Sequence, residues 1–263
     1  MTLSSVFGFR SPERIFRKMG YFGDQRGILR RYRREQSGWD IHLQNTQSFA
    51  IRSAQDKDRR SAIVLGSGWL LDVPLKELSA MFGKVTLADI RHPAQVRRRA
   101  EQLCNVTPEI CDISGFARSV YHYAQQYRRS RKRPPLDSIA PDRLPELSDY
   151  GFVFSCNILS QLSSLLEEYL LQYFEIQDEE LMAFRRKVQQ LHIAGLPKGR
   201  SCLVTDFEEN TFRPTGEDPQ KNILIDHPVI QNPHAQRWVW HFDTRMTYSP
   251  GRITSMEVLA VQL

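Results

Sequence analysis

Cysteine is scarce in this 263-residue chain. The four present, Cys104, Cys111, Cys156 and Cys202, have neither the paired spacing of a zinc site nor the density of a small disulfide scaffold. They read as reduced, mostly buried thiols. No run approaches the roughly 18 consecutive apolar residues a membrane span requires, and the N-terminus lacks a compact apolar segment of signal-peptide kind. A soluble cytoplasmic protein with no membrane partner is therefore expected. His234 and His241 stand without neighbours at ligand spacing, so no metal is expected either. A Walker-type phosphate loop is excluded, because Trp69, Leu70 and Leu71 stand where a Gly-Lys-Ser/Thr ending would be needed. A dinucleotide fingerprint wants a third glycine at position 71, where Leu71 stands.

What is present is concentrated between Ser61 and Asp89. Ala62, Ile63, Val64 and Leu65 form a continuous, partly β-branched run, as in a strand buried on both faces. A Gly66-Ser67-Gly68 turn follows, where the missing Cβ atoms permit a sharp bend and close approach of a ligand to free backbone amides. Asp72 and Pro74 then mark a helix start. Leu75, Leu78 and Phe82 share one face of that helix, and Gly83 is expected to end it in a left-handed conformation. Val85 to Ala88 form a second strand ending in Asp89, 21 positions after Gly68 and close to the spacing at which a carboxylate meets ribose hydroxyls. The same residues would also serve a plain strand-to-helix turn and a helix cap.

Between residues 61 and 206 the order of segments resembles the class I S-adenosylmethionine-dependent methyltransferases. The resemblance implies that Gly66, Ser67, Gly68 and Trp69 hold the methionine part of the cofactor S-adenosyl-L-methionine and that Asp89, with Ile90, holds the ribose. It places Asp112, with Ile113, after the third strand and against the adenine, and Asn157, after a fourth strand from Gly151 to Cys156, toward the cofactor cleft. Read from the residues alone, Asp112 beside Ser114-Gly115 suits a turn or cap equally well, and Asn157 suits an N-cap. The chain departs from the family's pattern at Val64, where an acid usually stands, and at Leu70, where a third glycine often does.

The net charge of +6 is uneven: residues 1–60 hold thirteen Lys/Arg against six Asp/Glu, leaving the rest of the chain at −1. Arg26, Arg30, Arg31, Arg33 and Arg34, among Ile28, Leu29 and Tyr32, form a basic amphipathic helix. Arg128, Arg129, Arg131, Lys132 and Arg133 open a polar loop reaching Asp149. Such clusters attract an anionic partner or acceptor, or are simply solvated; no RNA-binding motif accompanies them, so nucleic acid is left without sequence support. Further on, Leu162 to Tyr173 and Glu179 to His192 read as helices, Ser201 to Thr205 as a strand ending at Asp206, and Trp238 to Arg245 with Ile253 to Leu263 as an antiparallel hairpin.

The expected architecture is α/β. A mostly parallel Rossmann-like sheet carries helices on both faces and a C-terminal antiparallel hairpin, with a basic helical N-terminal extension (1–60) before the methyltransferase-like domain (61–263). The expected activity is direct methyl transfer to an unidentified small-molecule or anionic acceptor. A non-catalytic protein of the same fold that binds an anionic partner, or an NAD(P)-dependent reductase, would share much of this pattern. No catalytic base stands out; Asn157 could orient an acceptor, and Asp206 or His92 could take a proton.

Overall fold

The computed structural model describes residues 12–263; the first eleven residues of the expected N-terminal extension lie outside it. Three helices come first, α1 (Pro12–Lys18), α2 (Tyr21–Arg34) and α3 (Gln36–Ala54). The expected basic helix is α2. Next come β1 (Ser61–Leu65), α4 (Leu75–Met81), β2 (Lys84–Asp89), α5 (Ala94–Glu101), β3 (Val106–Ile110), α6 (Ala117–Tyr127) and β4 (Phe152–Cys156). The chain ends with α7 (Ser164–Leu171), α8 (Asp178–Gly195), β5 (Ser201–Phe212), β6 (Gln220–Ile223), β7 (Gln236–Asp243) and β8 (Ile253–Gln262).

The strands lie in the order β3-β2-β1-β4-β5-β8-β7, with β6 paired to the outer part of β5. Strands β1 to β5 are mutually parallel, while β8 runs antiparallel to both β5 and β7, as the expected hairpin requires. Every residue from Ala62 to Leu65 is buried, and alternate residues serve opposite faces. Ile63 and Leu65 pack with α1, α6, α7 and α8, whereas Ala62 and Val64 pack with α3, α4 and α5. A parallel strand covered on both sides has no solvent face, so its apolar residues run without interruption.

Helix α3 contributes Trp39, Leu43 and Phe49 to this second core, so the segment before residue 61 is packed into the same body as the sheet. It approaches β7 closely: a Cβ on Gly38 would lie 2.7 Å from the His241 carbonyl oxygen. Glu35, between α2 and α3, accepts hydrogen bonds from Thr244 N, Thr244 Oγ1 and Arg245 N, which ties the helix junction to the end of β7.

Two local expectations are corrected. Gly83 is not left-handed; α4 ends at Phe82 in an extended conformation, and Gly83 is needed because a Cβ there would meet the Arg60 carbonyl oxygen at 3.1 Å. Strand β5 does not stop near Asp206: a bulge between Asp206 and Glu208 carries it on to Phe212, where it pairs with both β6 and β8. The basic stretch after α6 is a loop, as expected, apart from one short 3-10 turn at Leu136–Ser138. Within it Arg133 makes a bidentate pair with Glu180, both bonds 2.7 Å, while Arg128, Arg129, Arg131 and Lys132 are exposed. Among the described residues, no helix is long and apolar enough to cross a membrane, and no group of His, Cys, Asp and Glu could hold a metal ion.

Candidate functional site

The strand order reverses between β1 and β4, and in open α/β sheets the crevice outside the carboxyl ends of the strands at that reversal is where ligands bind. A cavity of about 380 Å³ opens there, within the range of about 300–1,000 Å³ usual for small-molecule sites. A larger cleft, about 910 Å³, lies along the flank of the sheet between α1 and residues 142–150. It is away from the β1/β4 strand ends, so the smaller cavity is the candidate site.

Gly66 and Gly68 have φ of +82° and +48°, which brings the chain round sharply after β1. Their open sides differ. A Cβ on Gly66 would lie 2.9 Å from Ile158 Cβ, so that glycine admits the end of β4; a Cβ on Gly68 would meet nothing nearer than 3.9 Å, so its open side is free for a ligand. Gly68 N donates to Asp89 Oδ2 at 2.7 Å, fixing the carboxylate beside the turn. The other oxygen, Oδ1, accepts from Gln25 Nε2 at 3.1 Å. Burial pushes the Asp89 carboxyl above its usual range, and the Gly68 amide works against that shift.

Of the residues the sequence singles out, Gly66, Gly68, Asp89, Ile90, Asp112, Ile113 and Asn157 all line the cavity. Ser67 and Trp69 do not. Ser67 is fully buried beneath the turn, and Trp69 faces α2, donating its indole N–H to the Gln25 carbonyl oxygen at 2.6 Å. Asp112 combines two roles: while lining the cavity, it accepts from Ser114 N, Ser114 Oγ and Ala117 N, capping the start of α6. His92 is buried with Nε2 2.9 Å from the Glu109 carbonyl oxygen, outside the cavity. Arg91 lies over the Phe22 ring at 4.2 Å.

Asn157 closes the floor at the end of β4, with φ of +47°. Its Nδ2 donates to Asp72 Oδ2 at 2.6 Å and lies 3.2 Å from His42 Nε2. His42 is stacked on Trp240, ring centroids 4.0 Å apart, and accepts from Trp238 Nε1 at 3.1 Å. Burial lowers its pKa to about 3, so the ring is neutral. Asp206, at the bulge in β5, accepts from Ser160 Oγ at 2.6 Å, and burial raises its carboxyl.

Sequence reasoning missed the far wall. Arg31 from α2 sits over Phe242 and Tyr248, at 4.6 and 4.8 Å from the ring centroids, and Trp39 donates from Nε1 to the Phe242 carbonyl oxygen at 2.9 Å. No short-range pattern joins α2 and α3 to a strand some 200 residues later. Four buried polar atoms on cavity-lining residues have no partner: Gln25 Oε1, Arg31 Nε, Asn157 Oδ1 and Trp240 Nε1. Leaving such groups unpaired is costly, and these four lie on residues around the cavity.

A parallel sheet in the order 3-2-1-4-5, closed by one reversed strand and a last strand beyond it, is now complete. The chain has a Rossmann-like α/β fold, a mostly parallel sheet with an antiparallel end. No protein-family model matches the sequence, and no curated protein matches it. Similar solved structures include the 1,6-didemethyltoxoflavin-N1-methyltransferase of Burkholderia thailandensis with bound 1,6-didemethyltoxoflavin and S-adenosylhomocysteine, at 10% identity, 100% coverage of this chain and 93% of that one, and a TM-score of 0.44. The N-methyltransferase NodS of Bradyrhizobium japonicum WM9, in complex with S-adenosyl-L-homocysteine, is 11% identical over 85% of this chain and 87% of that one, with a TM-score of 0.41. An rRNA methylase from Streptococcus thermophilus is 11% identical over 82% and 95%, with a TM-score of 0.31.

Proposed function

We propose that this protein is an S-adenosylmethionine-dependent methyltransferase that transfers a methyl group directly to an acceptor bound in the same cavity. The observation that carries the reading is Asp89, held by the Gly68 amide at the rim of a cavity that opens at the reversal of strand order. Bound there, the cofactor would supply an electrophilic methyl group, so alignment and exclusion of water are the protein's main tasks.

The residues present fit that group. Asp89 is a carboxylate that can accept two ribose hydroxyls once Gln25 yields its place, and Gly68 leaves room for the methionine part. Ile90 and Ile113 offer apolar surface to an adenine, with Asp112 at its edge. Asn157, anchored through Asp72, lines the cavity beside the turn. Asp206, already raised by burial, is the group placed to take a proton from an acceptor.

Calorimetric titration with S-adenosylhomocysteine tests the assignment. Saturable binding by the native chain is expected, weakened at least tenfold by Asp89→Asn; absence of binding by the folded native protein would remove the enzymatic reading.

A further inference from the structure

The charge inside the cavity is opposite to that of the chain. Its lining carries six carboxylates, Asp24, Asp89, Asp112, Glu168, Asp206 and Glu209, against a single guanidinium, Arg31. The overall excess of basic residues therefore says nothing about the ligand; the site itself is strongly acidic. Asp89 and Asp112 stand at the ends of β2 and β3, in the half assigned above to the cofactor. The other four carboxylates, those of the far half, come from α2, α7 and β5, and Asp206, Glu209 and Asp24 are near enough to Tyr248 to act on it. Burial raises Glu168, Asp206 and Tyr248, and neighbouring carboxylates add to it, Asp24 at Glu168, Glu209 at Asp206, and Glu209, Asp206 and Asp24 at Tyr248, where Arg31 works against the shift. Among the described residues, Asp24, Glu168, Asp206 and Glu209 have no ion-pair partner.

Ring faces complete this half. Trp240, Phe242 and Tyr248 line it, and Phe242 and Tyr248 already attract the planar cation of Arg31. Trp240, only 6% exposed, has no partner for its indole N–H. Aromatic faces and carboxyl groups together suit a ligand with an apolar body and a positive charge. A methyl donor of net charge about +1 seated against Asp89 and Asp112 would leave the carboxyl groups of the far half with no cation but Arg31 among the lining residues.

We propose that the acceptor is an organic amine, with its nitrogen against Asp206 and Glu209 and its carbon skeleton against Trp240, Phe242 and Tyr248. This rests on the methyltransferase reading only for the word acceptor; the amine site itself is a property of the far half of the cavity.

The test is calorimetry on the full chain with three probes of one shape, tryptamine, tryptophol and indole-3-acetate, with and without S-adenosylhomocysteine. Tryptamine should bind at least tenfold more tightly than neutral tryptophol, and indole-3-acetate should not bind. Asp206→Asn and Glu209→Gln should each reduce the preference for the amine at least fivefold while leaving S-adenosylhomocysteine affinity unchanged. Glu209 is half-exposed, so its variant tests the proposal even if Asp206→Asn fails to fold. Lack of saturable tryptamine binding, equal binding of the three probes, or a preference untouched in a folded variant would overturn it. Amine preference without any S-adenosylhomocysteine binding would instead sink the methyltransferase reading and leave the amine site standing.

Discussion

Gln25 of α2 donates its side-chain amide to Asp89 Oδ1 at 3.1 Å and to the Arg91 carbonyl oxygen at 2.8 Å, occupying the carboxylate oxygen that a ribose hydroxyl would need. Its own Oε1 has no partner. The helix that carries it is pinned to the glycine turn by the Trp69 indole. A ligand reaching Asp89 must therefore displace Gln25, and a hydrogen bond to a charged group is worth about 1.5 kcal/mol or more. Gln25→Ala removes that competition and is expected to tighten S-adenosylhomocysteine binding roughly tenfold. Weaker binding by this variant in calorimetry would mean that Gln25 contacts the ligand instead of competing with it.

The two glycines of the turn should respond differently to the same methyl group. At Gly66 an added Cβ collides with Ile158 and the Cys156 carbonyl oxygen at 2.9 and 3.0 Å, on a backbone at φ +82°. Gly66→Ala is expected to destabilise the fold by roughly 2–4 kcal/mol, combining left-handed strain with overpacking. At Gly68 the space is open, so Gly68→Ala should lose about 1–2 kcal/mol from conformation alone, yet it places a methyl in the ligand's path. Chemical denaturation ranks the first effect, and S-adenosylhomocysteine titration of Gly68→Ala reads the second; unchanged affinity there would remove Gly68 from the site.

The first half of the molecule was open to sequence reading because its signals are local. The run Ala62–Leu65, the turn at Gly66 and Gly68, and the acid at 89 lie within one strand-helix-strand unit, and each residue's role follows from near neighbours. Helix α3 falls in the expected helical extension, but its packing on the sheet was hidden because its buried side alternates Trp39, Leu43 and Phe49 with buried His42, Thr46 and Ser53, which blurs the apolar period. Trp69 follows Gly68 directly, yet adjacency in a turn does not say which way a side chain faces, and the indole faces α2. The length of β5 was missed because polar residues 208–211 read as loop; their strand pairing depends on β6 and β8. Of the acidic far wall, Asp206 to Glu209 could be read as substrate-side residues or as a solvated loop, whereas Asp24 and Glu168 could not be read, because no local pattern turns those two helix positions toward β5.

Asp112 should report on folding as well as on ligand binding. Its carboxylate receives Ser114 N at 3.1 Å, Ser114 Oγ at 2.6 Å and Ala117 N at 2.7 Å, so removing it strips the start of α6 of its cap. Asp112→Ala is expected to cost about 1–3 kcal/mol in denaturant unfolding. Asp112→Asn keeps an acceptor oxygen and should cost less than half as much. Equal losses for the two would show that charge, not the hydrogen-bond acceptor, matters at this position.

His192 offers a pH test of the buried polar core. Its Nε2 lies 2.9 Å from Ser155 Oγ, both residues are buried, and burial lowers its pKa to about 4 from the ordinary 6.5. Between those values the unfolded chain takes up a proton that the folded chain refuses, so this group's contribution is fully present above pH 6.5 and falls as the pH is lowered toward 4. The slope approaches about 1.4 kcal/mol per pH unit, or roughly 3 kcal/mol over the interval. Asp72 and Asp206, raised by burial, act in the opposite direction, because a folded state that holds protons more tightly gains stability on acidification. Total stability therefore mixes the two signs, and the informative quantity is the difference between the native chain and His192→Gln, in which the carboxylates cancel. That difference should shift in favour of the variant by roughly 3 kcal/mol between pH 7 and pH 4 in urea titrations. Parallel curves for the two proteins would mean that His192 charges in the folded state as readily as in the unfolded one.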